Sequence, residues 1–300
     1  MALLIALWQA TIHMGKCKML SLDELLKESE RIEPVPQVIH QLMALVDDPE
    51  VPISEVSELI LYEPVVTANL LKLANSSAFG FKKKVESVHD AVVMLGLKQV
   101  VEIMLLNSVS KPLKSAKQGY GLEEGHLWKQ SVSCALIAEA IADFIEAPAK
   151  HIVFTAALLK DIGIIVLDRF MGQARQKIRQ AMLTDNLSLI DAERQTFGID
   201  HGQLGGQIAA NWNFSHALSS TIQNHHLTEV ETTIPGTTAM VYLADCMCSI
   251  SGINGELFSG HYNHYDQVCD QLGLSEVDGN RIMSDFYSRK EDIYGLLAIL

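Results

Sequence analysis

The chain has 300 residues, 48% of them hydrophobic and only 6% aromatic, and a formal charge of −13 at pH 7. That length and apolar content support a sizeable core and exclude global disorder, and the Leu, Ile, Val, Ala and Met that dominate it suit packed helices better than sheets. So acidic a chain repels phosphate backbones and anionic lipid, which argues against nucleic acid and membrane surfaces as partners.

Residues 1–20 read as an N-terminal tail. Its apolar stretch, Ala2 to Trp8, is too short to span a bilayer and has no basic segment before it, so it is neither an anchor nor a signal peptide. Met14 and Met19 are alternative starts, and residues 1–18 are expected to be dispensable for folding. Ser21-Leu-Asp-Glu24 has capping-box spacing and opens the first helix. Pro34 and Pro36 interrupt it; Val38, Leu42, Leu45 and Val46 then recur at helical spacing as far as Asp47-Asp48-Pro49. Ser54 caps a helix with Val56, Leu59 and Ile60 inward, and Glu63 to Ser76 forms another after the boundary at Pro64. Gly80 to Ser87 reads as a loop, Val88 to Val109 as one long helix, and 111–125 as a linker with little that could fill a core. The basic run Lys82-Lys83-Lys84 and the sparser Lys111, Lys114 and Lys117 read as solvated side chains.

After the linker the periodicity predicts helices over Ser131–Ile145, His151–Phe170 with an interruption near Gly163, Gln173–Leu183, Leu187–Phe197, His201–Trp212, Ala217–His226 and Thr237–Ile250. No period-2 strand occurs. The expected fold class is all-α, a two-lobed helical array with one lobe over 21–115 and a second over 126–300 that includes C-terminal helices. Five cysteines (Cys17, Cys134, Cys246, Cys248 and Cys269) are odd in number and contain no CxxC, so neither a disulfide framework nor a structural zinc site is expected, and a reducing cytoplasm fits.

The informative polar residues are Asp161, His201, His225, His226 and Asp245, each in or beside an apolar helical segment. A carboxylate in such a run is costly to bury without a partner. Two chemistries satisfy the set: hydrogen-bonded core groups, or ligands to iron, manganese or zinc, where two ions bridging a water would support phosphoester hydrolysis. His225 and His226 are neighbours, so on a helix they point about 100° apart and only one reaches a given ion. Other conspicuous residues have plainer roles. Asn75-Ser76-Ser77 is read as a helix cap, Gly205-Gly206 as a close helix contact, and Met240 and Met247 as core. Trp8, Trp128 and Trp212 are too dispersed for a stacking platform. Ser131 and Cys134 near His126 form no nucleophilic arrangement, and His261, His264 and Tyr265 read as an exposed loop patch.

Trp128-Lys-Gln130-Ser131, Leu158-Leu159-Lys160-Asp161-Ile162-Gly163, His201-Gly-Gln-Leu-Gly205, Asn224-His225-His226 and Leu243-Ala244-Asp245 follow the order of motifs in the HD phosphohydrolase superfamily, which the chain resembles. Pro34-Val-Pro36, Asp48-Pro49, the run from Glu63 to Ser76 ending Leu73-Ala74-Asn75-Ser76, and Ala91 to Gly96 resemble the part that distinguishes its HDOD branch, the HD-related output domain. The resemblance spans about residues 30 to 250. It implies a site at Gln130, Lys160, Asp161, His201, His225, His226 and Asp245, but a vestigial one. Gln130 stands where the superfamily has a ligand histidine, and Lys160-Asp161 stands where it has the His-Asp doublet. Glutamine is a poor ligand for these metals and an ammonium cannot coordinate at all. After His226 the chain runs Leu-Thr-Glu-Val, not the Gly-Tyr-Pro of cyclic-di-GMP-hydrolysing relatives.

The resemblance therefore implies a non-catalytic bacterial signal-transduction domain that binds a signalling protein partner or a small ligand. No catalytic residue and no cofactor are expected, and Lys160 is expected to replace a metal by pairing with Asp161 or Asp245. The alternative is a metal-dependent phosphohydrolase acting on a nucleotide or phosphoester, with one weakly bound divalent metal at Asp161, His201, His225, His226 and Asp245.

Overall fold

Proline sets the helix starts in the first half. The computed structural model describes residues 22–76, 79–81, 83–115, 119–148, 150–228, 234–254 and 262–299. The expectations for the 1–20 tail, the Ser21 cap, Cys17, Ser77, Lys82, Lys117 and His261 lie outside the described residues. Helix α1 is Leu22–Ser29; α2 (Gln37–Leu45) follows Pro36, α3 (Ile53–Leu61) follows Pro52, and α4 (Pro64–Ala74) has proline in its first turn. A proline there has φ preset for the helix and lacks only an N–H that would be orphaned anyway. Pro52, not Ser54, is thus the residue before α3.

The helix expected over Val88–Val109 is two helices. Ser87 caps α5 (Val88–Leu95) by accepting from Asp90 N at 3.0 Å, and Gly96 ends it at φ 80°, a conformation that side chains resist. Helix α6 (Leu97–Ser115) then departs at 113°. It runs straight through Lys111 and Pro112 and buries Leu113, so the expected linker is shorter than its composition suggests. Tyr120, in the remaining connector, is also buried.

The second half consists of α7 (His126–Phe144), α8 (Lys150–Leu159), α9 (Ile162–Thr184), α10 (Leu189–Phe197), α11 (His201–Asn211), α12 (His216–Asn224), α13 (Gly236–Ile250), α14 (Tyr265–Leu272) and α15 (Glu276–Ile299). Ser188, Asp200 and Ser215 cap α10, α11 and α12 through their side chains. The break expected near Gly163 falls at Lys160-Asp161, and the segment Gln173–Leu183 is a continuation of α9. The fold is all-α, with no strand among the described residues.

Helix α7 is the axis of the second half, packed on α8, α13 and α15, while α11 is sandwiched between α9 and α12. Gly163 permits the α9–α11 crossing: a Cβ on it would lie 2.1 Å from the His201 carbonyl oxygen. Gly205 and Gly206 serve the α11–α12 contact in the same way. The two halves meet through α6 on α7 and share one contiguous core. Ion pairs reinforce the contact: Glu28 with Arg169, Lys98 with Glu139, and Asp47 Oδ2 with His151 Nδ1 at 3.4 Å. Asn75 does more than cap α4; it exchanges two 2.8 Å hydrogen bonds with the backbone of Val85 and closes the loop before α5. Among the described residues no single helix is long and apolar enough to cross a membrane. The α5–α6 pair has the composition only when both arms of its 113° bend are counted, and α6 is largely buried.

Candidate functional site

The α8–α9 break places Lys160 and Asp161 side by side in the protein interior, each about 1% exposed. Asp161 precedes α9 yet makes no capping hydrogen bond, so its carboxylate is free to face inward. Two isolated ions at this depth would cost several kcal/mol each. Here they are paired: Lys160 Nζ lies 2.5 Å from Asp161 Oδ2 and 2.8 Å from Asp245 Oδ1, the latter carried by α13. Burial disfavours the Lys160 ammonium, but the two carboxylates outweigh it and hold its pKa well above the ordinary value. Burial likewise pushes Asp161 up, and Lys160 outweighs that, holding the carboxyl well below its ordinary range.

The other members of the set surround this pair. Gln130, on α7, donates from Nε2 to Asp161 Oδ2 at 3.3 Å, while its Oε1 is buried without a partner. His201 Nε2 and His225 Nε2 stand 3.5 and 3.7 Å from Asp161 Oδ1. Asn254 Nδ2 approaches Asp245 Oδ1 at 3.4 Å. All seven residues of the expected site thus converge. Gln130, Lys160, Asp161, His226 and Asp245 line a cleft of about 560 Å³, and His201 and His225 are buried behind it. His264, expected on an exposed loop, is half-buried in the cleft wall, and Tyr265 packs on the core as the first residue of α14.

The expectation that only one of His225 and His226 reaches a shared point is wrong. Helix α12 ends at Asn224, so the helical angle between neighbours does not apply; the two rings are 3.9 Å apart, and nitrogens of His201, His225 and His226 all lie within 4.8 Å of one another.

Sequence reasoning missed Glu193 and Tyr120. Glu193 Oε2 accepts from both the backbone N and the Nδ1 of His201, each at 2.8 Å, and Glu193 Oε1 accepts from the Tyr120 hydroxyl at 2.5 Å. Glu193 was findable: Leu189, Glu193 and Phe197 recur every four residues, which puts a carboxylate in the middle of a buried stripe. Burial favours a neutral His201, but the Glu193 carboxylate outweighs it and pushes the imidazole up to about 9. Burial and the neighbouring His225 and His201 hold His226 well below its ordinary value. The Nε2 atoms of His201 and His226 are 2.8 Å apart, a hydrogen bond that links the two rings.

This donor set does not fit a dinuclear metal centre. Two ions need carboxylates to bridge them, and the ammonium of Lys160 engages both that are present. The three imidazoles have the spacing for a single ion, but His201 would first have to give up a proton.

The sequence profile of the HDOD domain matches residues 32–228. Superposition on solved structures extends the likeness further. An HDOD domain protein of unknown function from Geobacter sulfurreducens is 25% identical, with TM-score 0.69 over 93% of this chain and 97% of its own. A Marinobacter aquaeolei VT8 protein, provisionally named a signal transduction protein, is 20% identical with TM-score 0.73, over 98% of this chain and 64% of its own. A Shewanella amazonensis SB2B protein, provisionally named a phosphohydrolase, is 20% identical with TM-score 0.67, over 92% and 97%. An uncharacterized Treponema pallidum (strain Nichols) protein is 23% identical over 205 residues, 66% of this chain; that match spans only 39% of the relative's length. With the profile covering most of its length, the chain belongs to the HDOD domain family.

Proposed function

We propose that this HDOD unit is a signal-transduction element that binds a protein partner or a small ligand at the cleft above Lys160 and does not hydrolyse it. The observation that carries the reading is the buried ammonium held by both Asp161 and Asp245. A cation covalently attached to the chain neutralises the carboxylates that a metal would otherwise need, and it cannot activate a water as a metal does. What remains is a preformed polar cleft with fixed charges, suited to recognition. A bacterial cytoplasm is the setting we propose; the low and odd cysteine count supports a reducing compartment.

The experiment is elemental analysis of protein purified from iron- and manganese-supplemented culture, paired with turnover of bis-p-nitrophenyl phosphate in the presence of each metal. Well under one metal per chain and no metal-dependent turnover are expected. Two stoichiometric metals, with turnover abolished by Asp161→Ala, would establish the phosphohydrolase instead. The spacing of the three imidazoles favours one intermediate reading, a single ion without turnover, which the same elemental analysis resolves.

A further inference from the structure

The connector between the halves is hydrogen-bonded at both ends of one residue. The backbone N–H groups of Gly119 and Tyr120 donate to Asp168 Oδ1 on α9 at 2.8 and 3.1 Å. The Tyr120 hydroxyl donates to Glu193, Glu193 holds His201, and His201 Nε2 is hydrogen-bonded to Nε2 of His226, which borders the ligand cleft. Tyr120, Glu193 and His201 are at most 1% exposed, and Tyr120 and Glu193 are 73 residues apart in sequence. The two inner links, Tyr120 to Glu193 and Glu193 to His201, are buried, so water does not readily replace them. A shift at one end either carries the next member along or leaves a buried polar group unpaired. The connector also borders a second cleft, of about 630 Å³, shared with Met171 and Ile178, so it has room to move without the core opening first.

We infer that residues 119–125 form a conformational relay whose position is coupled to the ligand cleft through Tyr120, Glu193 and His201. Tyr120 and Glu193 are its positioning residues. A ligand or partner that draws His226 into the cleft removes the hydrogen-bond partner of His201 Nε2, and so changes the grip of Glu193 on Tyr120. The connector joins α6 of the first half to α7 of the second, so the displacement is delivered to the junction between them. The coupling is a property of the folded chain, and it holds whether or not a cleft ligand is hydrolysed.

Coupling must act in both directions, and this supplies the test. In full-length Tyr120→Phe the ring stays and only the hydroxyl is lost; the imidazole nitrogen resonances of His201 should shift. Full-length Glu193→Gln has one acceptor oxygen in place of two, so it cannot accept from both His201 and the Tyr120 hydroxyl, and exchange of the Gly119 and Tyr120 amides should accelerate roughly tenfold or more. Leu70→Ala, in the core of the other half, is the control for general loss of stability. The inference is overturned if Tyr120→Phe leaves the His201 resonances where they were. It is equally overturned if the connector amides of Glu193→Gln exchange no faster than those of Leu70→Ala. Should Glu193→Gln not fold, the Tyr120→Phe spectrum decides alone.

Discussion

Replacing Lys160 by methionine removes the charge that balances two carboxylates while keeping most of the apolar stem. Lys160 Nζ lies 2.5 Å from Asp161 and 2.8 Å from Asp245, with 1% of the residue exposed, so neither carboxylate has water to fall back on. Breaking a buried pair from one side typically costs 3–5 kcal/mol, a large part of the roughly 5–15 kcal/mol that holds a domain together. The loss has a pH signature. In the wild type Lys160 outweighs burial and holds Asp161 below its ordinary 3.8, so this carboxyl contributes stability above that value and loses it as pH falls through the depressed one. Without Lys160 the main force holding the carboxyl down is gone and burial opposes its charge, so the variant is penalised more at neutral pH than in acid. Urea denaturation followed by far-ultraviolet circular dichroism from about pH 4 to pH 7 should show the gap between wild type and Lys160→Met widening with pH. Both carboxylates would then be open to a cation, and Mn²⁺ at about 100 times its dissociation constant should restore roughly 2.7 kcal/mol to the variant. A loss below about 1 kcal/mol at neutral pH, or a gap that does not change with pH, would refute the charge-balance account.

Three further variants probe the frame. Burial and Glu139 push the Glu102 carboxyl up to about 9, against the pull of Lys98, so the stability it gives below its ordinary value of 4.5 is lost as pH rises through about 9. Glu102→Gln should therefore gain roughly 1–3 kcal/mol near pH 8 and flatten the pH profile; an unchanged denaturation midpoint there would count against it. Leu70→Ala should cost roughly 2–5 kcal/mol as a core truncation, and a loss under about 0.5 kcal/mol would remove Leu70 from the core. Gly163→Ala should cost about 1–3 kcal/mol or more in calorimetry, because its methyl would lie 2.1 Å from a backbone oxygen; a stable variant would show that α9 and α11 can slide apart.

What the sequence made legible was what repeats locally. Amphipathic spacing located most helices, and Ser87, Ser188, Asp200 and Ser215 mark real starts. The breaks were harder. Apolar residues continue across Gly96, so the break there went unread, and in the heavily buried 151–170 stretch the break was placed near Gly163 when it falls at Lys160-Asp161. The same difficulty hid α6 beyond Lys111, where a polar composition masks a buried Leu113. At the site, Asp161, His201, His225, His226 and Asp245 stood out as polar residues in apolar segments, while Gln130, Lys160 and the grouping of all seven came from the family resemblance, since nothing in their spacing brings α7, α9, α11 and α13 to one point. Glu193 left a local trace, a carboxylate within a buried stripe, that went unused, while the pairing of Tyr120 with it across 73 residues leaves none. The error over His225 and His226 was one of helix length: α12 ends two residues earlier than expected, which changed where both rings point.

The crossing at Gly163 separates two things that a family can vary. The approach of α9 to α11 is fixed by main-chain atoms in contact, with His201 at the crossing itself. The side chains that project toward that point come from elsewhere, Gln130 from α7, Asp245 from α13 and Lys160 from the α8–α9 break. Substituting one of them alters the charge and ligating power of the cavity and leaves the helix geometry where it was. A scaffold of this kind can exchange its chemistry residue by residue, metal ligand for ammonium or the reverse, while any change at Gly163 has to be met by moving a whole helix.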